Sequence, residues 1–97
     1  MKVAVYSQMY QEDTLQYVME LLDELQKEHA VIAIEKEFHD FLSQKYSAAN
    51  YTSFTDVEGL DSSYDMFVSF GGDGTILRAT TFVKDLGIPI VGVNTGR

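Results

Sequence analysis

The sequence predicts an open, mostly parallel α/β sheet with flanking helices. Three observations carry that expectation. Short continuous apolar runs rich in β-branched residues alternate with segments of helical period, and two of those runs end in glycine-bearing loops. Continuous apolar runs suit strands covered on both faces, which is the usual condition of a parallel sheet.

Taken in order, "KVAVYS" (Lys2–Ser7) reads as the first such strand. The period then changes over "EDTLQYVMELLDELQKEH". Leu15, Val18, Leu22 and Leu25 fall at helical spacing, Met19 widens the stripe, and Glu20, Asp23, Glu24 and Lys27 face outward. Asp13 followed by Gln16 resembles a capping box at the start of that helix. "AVIAIEK" (Ala30–Lys36) returns to a strand pattern, so the first third of the chain outlines a right-handed βαβ unit. Phe38, Phe41, Leu42 and Lys45 predict a short second helix ending near Tyr46, its aromatics directed to the core. His29 and His39 lack partners at metal-ligand spacing and read as surface residues. Ser47–Ser63 is the least periodic region, with a short strand near Thr52–Phe54. Met66–Phe70 reads as a strand, Thr75–Leu86 as a helix and Ile88–Asn94 as a last strand. Gly87 fits the left-handed position that closes the helix, with Pro89 following.

Composition bounds the function classes. At 97 residues with 45% hydrophobic and 23% charged content, the chain is one domain able to bury its own core. It has no cysteine, which excludes disulfides, thiolate metal sites and thiol catalysis. A net charge of -8, from 15 acids and 7 bases, argues against nucleic acid as a partner, because phosphate neutralisation needs a basic surface. No apolar run approaches the ~18 residues of a membrane span, and "MKVAVYSQ" turns polar too quickly for a signal peptide. The expectation is a soluble, cytoplasmic protein with no membrane partner.

The chemistry concentrates in "DMFVSFGGDGTILRATTF" (Asp65–Phe82). A strand-to-helix turn containing Gly71, Gly72 and Gly74 can adopt backbone angles closed to other residues, and it clears side chains from a place where another molecule approaches the main chain. Amides of the turn and of the following helix then point at an anion, most often a phosphate. Asp73 is the odd member, since a carboxylate repels phosphate. It is tolerable there if it faces a hydroxyl or acts on phosphates through a metal ion. Asp-Gly is also a strong hairpin signal, but "ILRATTFVK" does not alternate as a second hairpin strand would, and a hairpin needs no further glycines. The dinucleotide fingerprint G-x-G-x-x-G and the Walker A pattern are both absent. A second loop, "NTGR", follows the last strand. Since ligands of open α/β sheets sit at the carboxyl ends of strands, the two loops point to one shared site.

"GGDGT" (Gly71–Thr75) is similar to the signature shared by NAD kinases, diacylglycerol and sphingosine kinases and, in related form, 6-phosphofructokinases. "VGVNTGR" (Val91–Arg97) resembles the opening of the NAD kinase segment that continues Leu-Gly-Phe-Leu. "GGDGTILRA", with arginine at position 78, also resembles the NAD kinase form rather than that of a lipid kinase. The resemblance implies a Rossmann-like N-terminal α/β nucleotide-binding domain over residues 1–97. It implies a phosphotransferase moving a phosphoryl group from ATP, or polyphosphate, to the 2′-hydroxyl of the adenosine ribose of NAD, giving NADP. Asp73 matches the family's general base. The resemblance places nucleotide contacts at Gly72, Asp73, Gly74, Thr75, Arg78, Asn94 and Thr95, Arg78 reaching a phosphate and Asn94 and Thr95 walling the pocket. Thr75 and Arg78, three residues apart, are expected on one face of the helix's first turn. A divalent metal, Mg²⁺, is implied by the triphosphate and not by a ligand cluster in the chain. The family further implies a C-terminal domain, absent from this chain, that carries an Asn-Glu pair and much of the NAD pocket, and a homo-oligomer at full length. Two alternatives stand beside this reading: a lipid kinase of the same superfamily, and a non-catalytic nucleotide-binding module that kept the loop without the chemistry.

Overall fold

The computed structural model describes residues 1–8, 12–46 and 51–94. Its order is β1 (Lys2–Ser7), α1 (Glu12–Lys27), β2 (Val31–Glu35), α2 (Lys36–Lys45), β3 (Thr52–Phe54), β4 (Met66–Phe70), α3 (Asp73–Val83) and β5 (Ile90–Val93). The five strands form one sheet in the order β3-β2-β1-β4-β5, and every pairing is parallel. The expected α/β architecture is therefore present, and it is wholly parallel.

Side-chain alternation along the strands divides the core in two. Val3, Val5, Ile32, Ile34, Val68 and Phe70 point to one face, where Leu15, Val18, Leu22 and Leu25 of α1 and Phe38 and Leu42 of α2 cover them. Ala4, Tyr6, Ala33 and Phe67 point to the other, where Ala79, Phe82 and Val83 of α3 pack. On that second face Tyr6, Phe54, Phe67 and Phe82 form one aromatic cluster. Phe82 lies 4.9 Å from Tyr6, 5.6 Å from Phe54 and 6.1 Å from Phe67 between ring centroids. Phe82 is thus the anchor that fixes α3 against the sheet.

Several boundaries differ from the sequence expectations, each for a local reason. Asp13 lies inside α1 and is not its cap, since the helix already runs from Glu12. β2 stops at Glu35 because that side chain becomes the N-cap of α2. Its carboxylate accepts hydrogen bonds from the amides of Glu37 and Phe38, both at 3.0 Å, and so Lys36 begins the helix. α3 begins at Asp73 and ends at Val83, shorter at its end and longer at its start than the periodicity suggests. Lys84, at φ 52°, closes it, while Gly87 takes its left-handed φ of 79° three residues later. His39 is half-buried, its Nε2 3.1 Å from the carbonyl oxygen of Tyr51, so the surface assignment holds only for His29.

Candidate functional site

The strand order reverses between β1 and β4. From β1 the chain moves outward to β2 and β3, and from β4 it moves the opposite way to β5. At such a reversal the loops leaving neighbouring strands diverge to opposite faces, which opens a crevice at the carboxyl edge. Ser7 and Phe70, the last residues of β1 and β4, are paired there. Gly71 and Gly72 follow directly, and α3 starts at their end.

Each glycine of the turn has a different surrounding. Gly71 sits at φ 148°, and a Cβ on it would collide with the hydroxyl of Thr75 and lie 3.0 Å from the Thr75 Cβ. Its amide donates to the carbonyl of Val93 at 2.9 Å, which ties the turn to the end of β5. Gly71 is therefore needed by the fold itself. Gly72 and Gly74 are not. A Cβ on either would meet no described protein atom within 4 Å, and neither has a positive φ. Gly74 even lies in the first turn of α3, where glycine costs about 1 kcal/mol relative to alanine. The space above both glycines is open to another molecule.

Gly72 is the N-cap of α3 and supplies no side-chain hydrogen bond to it. The Thr75 and Ile76 amides donate to the Gly72 carbonyl, at 3.1 and 3.3 Å, whereas the amides before them lie ahead of the first intrahelical bond. The exposed helix start, with its partial positive charge, faces the same open space. Asp73 stands at the first position of this helix with its side chain exposed. Its negative charge is favourably placed beside the positive end of the helix dipole, at the mouth of the turn.

The structure sorts the other expected site residues. Thr75 is buried against Gly71, 4% exposed, and belongs to the framework of the turn. Arg78 is exposed and lies about 60° around the α3 axis from Thr75, so the two share a face whose buried-to-exposed boundary runs between them. Its guanidinium carbon stands 5.4 Å from the centre of the Phe82 ring. At about 100° per residue, Asp73 and Arg78 diverge by roughly 140° around the helix axis. Arg78 instead borders a groove along the carboxyl ends of β1 and β2, beside Tyr6, Ser7, Gln8, Glu35 and Glu37. Asn94 is exposed one residue beyond β5, and the Phe70–Val93 pairing brings it to the same edge as the glycine turn. Thr95 falls outside the described residues. The residue that the sequence reading missed is Gln8, which follows β1 into the crevice. No motif marks it, and only the strand order shows that β1 ends beside β4.

Among the described residues, four groups with displaced protonation lie at the opposite, amino edge of the sheet. Hydrogen bonds from the hydroxyl and amide of Ser63 hold the Asp61 carboxyl low, with help from Lys2. Burial raises Tyr64 and Tyr51, and the hydrogen bond to Asp23 raises Lys27. Among the described residues no group of three His, Asp or Glu side chains could hold a metal ion, and no helix is long and apolar enough to cross a membrane.

The model of the ATP-NAD kinase N-terminal domain matches residues 2–97. The chain belongs to the NAD kinase family. Proteins named NAD kinase from Flavobacterium psychrophilum, Christiangramia forsetii and Bacteroides fragilis are 44%, 40% and 38% identical to it. Each alignment covers 100% of this chain and 33% of the relative. The chain thus spans about a third of the length of these NAD kinases, and the family match takes in both glycine-bearing loops.

Proposed function

We propose that the full-length protein is an NAD kinase, transferring a phosphoryl group from ATP, or polyphosphate, to the 2′-hydroxyl of the adenosine ribose of NAD. The observation that carries this reading is the pair Gly72 and Gly74. They flank an exposed carboxylate at a helix start, and no contact within the fold accounts for either. Backbone laid bare at that point suits a nucleotide lying against it, and Asp73 between them suits a hydroxyl that must lose a proton. All three relatives quoted are named NAD kinase, which favours this acceptor over a lipid.

In this mechanism Asp73 accepts the ribose hydroxyl proton as the oxygen–phosphorus bond forms. The amides at the start of α3 and the backbone of Gly72 and Gly74 position the nucleotide, and Asn94 and Thr95 wall the pocket from the β5 side. Arg78 steadies a donor phosphate from the β1–β2 side of α3. Thr75 contributes by holding Gly71 in its turn. Alignment and charge neutralisation supply most of the rate, as in phosphoryl transfer generally. A divalent cation, Mg²⁺, enters with the triphosphate as part of the donor. The protein acts in the cytoplasm as a homo-oligomer, and its remaining polypeptide supplies a C-terminal domain that closes the NAD pocket.

The test is an assay of the purified full-length protein with ATP and Mg²⁺ against NAD, diacylglycerol and sphingosine in parallel. NADP formed from NAD, with no lipid phosphorylated, is the expected result. Lipid phosphorylation without NADP would transfer the assignment to the other branch of the superfamily, and nucleotide binding without turnover on any acceptor would favour a non-catalytic module.

A further inference from the structure

We propose that the apolar face of β5 opposite α3, beside α1, seats an amphipathic helix from the polypeptide beyond residue 97 of the full-length protein. Strands of a parallel sheet are ordinarily covered on both faces. Here α3 covers β4 and β5 on one side, whereas on the other α1 and α2 lie over β1, β2 and the Val68 and Phe70 side chains of β4, and leave β5 the more exposed. Beside α1 this leaves a groove of about 370 Å³. Its floor is Met66, Val68, Val91 and Val93, and its wall is Tyr17 and Leu21 of α1. Val91 is 44% exposed and Tyr17 53%, high values for large apolar side chains next to a core.

The handedness of the connections explains the gap. Right-handed crossovers put the moves from β1 to β2 and β3 on the α1 side, and those from β3 back to β4 and on to β5 on the α3 side. Leu60 and Tyr64 of the β3–β4 connection accordingly pack with Phe54 and Phe67 on the α3 side. What remains uncovered is the β5 strip, with Met66 of β4 beside it, and since packed helices lie about 8–10 Å apart one further helix fits alongside α1. The rim gives the occupant its charge. Glu20 and Glu24 both border the groove from successive turns of α1; Lys27 stands 3.6 Å from Glu24, whereas Glu20 has no ion pair among the described residues. The seat therefore fits an apolar helical stripe bordered by lysine or arginine. The NAD kinases that the chain matches hold two-thirds of their length outside the matched region, ample to supply it. A tethered segment also binds at high effective concentration, so a modest groove suffices.

The test uses the full-length protein with photo-reactive p-benzoyl-phenylalanine in place of Tyr17, irradiated as an equal mixture of isotopically heavy and light chains. The expected adduct joins residue 17 to a lysine- or arginine-bearing peptide beyond residue 97, with both halves of one isotope. Adducts of mixed isotope would show a second copy in the seat, and adducts confined to residues 1–97, or none, would show it vacant. Each of these outcomes overturns the proposal. A Val91→Cys variant gives an independent readout. Its thiol is expected to resist maleimide in the native full-length protein and react after denaturation, and ready native labelling contradicts the proposal. Neither substitution touches the glycine turn, so failure here leaves the kinase reading standing.

Discussion

At Gly71 the backbone adopts φ 148° and the Thr75 side chain fills the place of a Cβ, while one and three residues later Gly72 and Gly74 face open space. The three glycines should therefore separate experimentally. Gly71→Ala is expected to lower stability by about 1–3 kcal/mol, the usual cost of a strained backbone with a forced contact. Gly72→Val and Gly74→Val should leave the melting temperature nearly unchanged and weaken nucleotide binding in the full-length enzyme. Titration calorimetry beside thermal unfolding reads both quantities. Unchanged affinity with lowered melting for the two valine variants would return all three glycines to a purely conformational role. The sequence shows the cluster but not this division. Which glycine a fold needs depends on what lies above it, and Thr75 reaches Gly71 only once α3 has formed.

Among the elements, α3 joins the stability of the fold to the geometry of the site. Phe82 holds it through three aromatic contacts, and the same ring supports the Arg78 guanidinium. Truncating Phe82 to alanine should cost about 3–5 kcal/mol, measured by denaturant unfolding, because it empties the centre of the aromatic cluster. If that cost is under 1 kcal/mol, α3 is held by something other than this ring. Periodicity made the existence of all three helices and five strands legible, and their order gave the parallel sheet. Ends were less legible. β2 gives way to α2 because Glu35 caps the next helix with its carboxylate, an unusual choice of capping residue that composition does not advertise. The start of α3 lies two residues before the position that periodicity predicts, because Asp73 and Gly74 look like turn residues in isolation, yet the helix takes them into its first turn. Thr75 and Arg78 share the face that their spacing predicts, and only the tertiary arrangement shows that Thr75 is buried under the glycine turn while Arg78 stands exposed beside the β1–β2 groove.

At the scale of the molecule, the described residues form a carboxyl edge with no opposing wall among them. Two loops, one glycine turn and one strand end meet there through the Gly71–Val93 hydrogen bond, and all belong to one sheet. A pocket that buries most of a small ligand needs a second surface. Residues 1–97 expressed alone should accordingly melt cooperatively but form no NADP, since losing alignment forfeits roughly 7–11 kcal/mol of barrier reduction. Nucleotide binding by that fragment should be near millimolar, about −4 kcal/mol. NADP formation by the fragment above background would show that one sheet edge is enough. The motif residues that place Asp73 at this edge were legible from the sequence because glycine and carboxylate chemistry is local; the crevice itself was not, because it exists only through the strand reversal between β1 and β4. The central claim is that Asp73 acts as the proton acceptor, and substitution of that one group in the full-length enzyme tests it most directly. Asp73→Asn retains the shape of the helix start while removing the basic oxygen. Turnover should fall by about 10²–10⁴-fold with only a modest change in NAD affinity. Near-normal turnover in a folded Asp73→Asn enzyme would contradict the account.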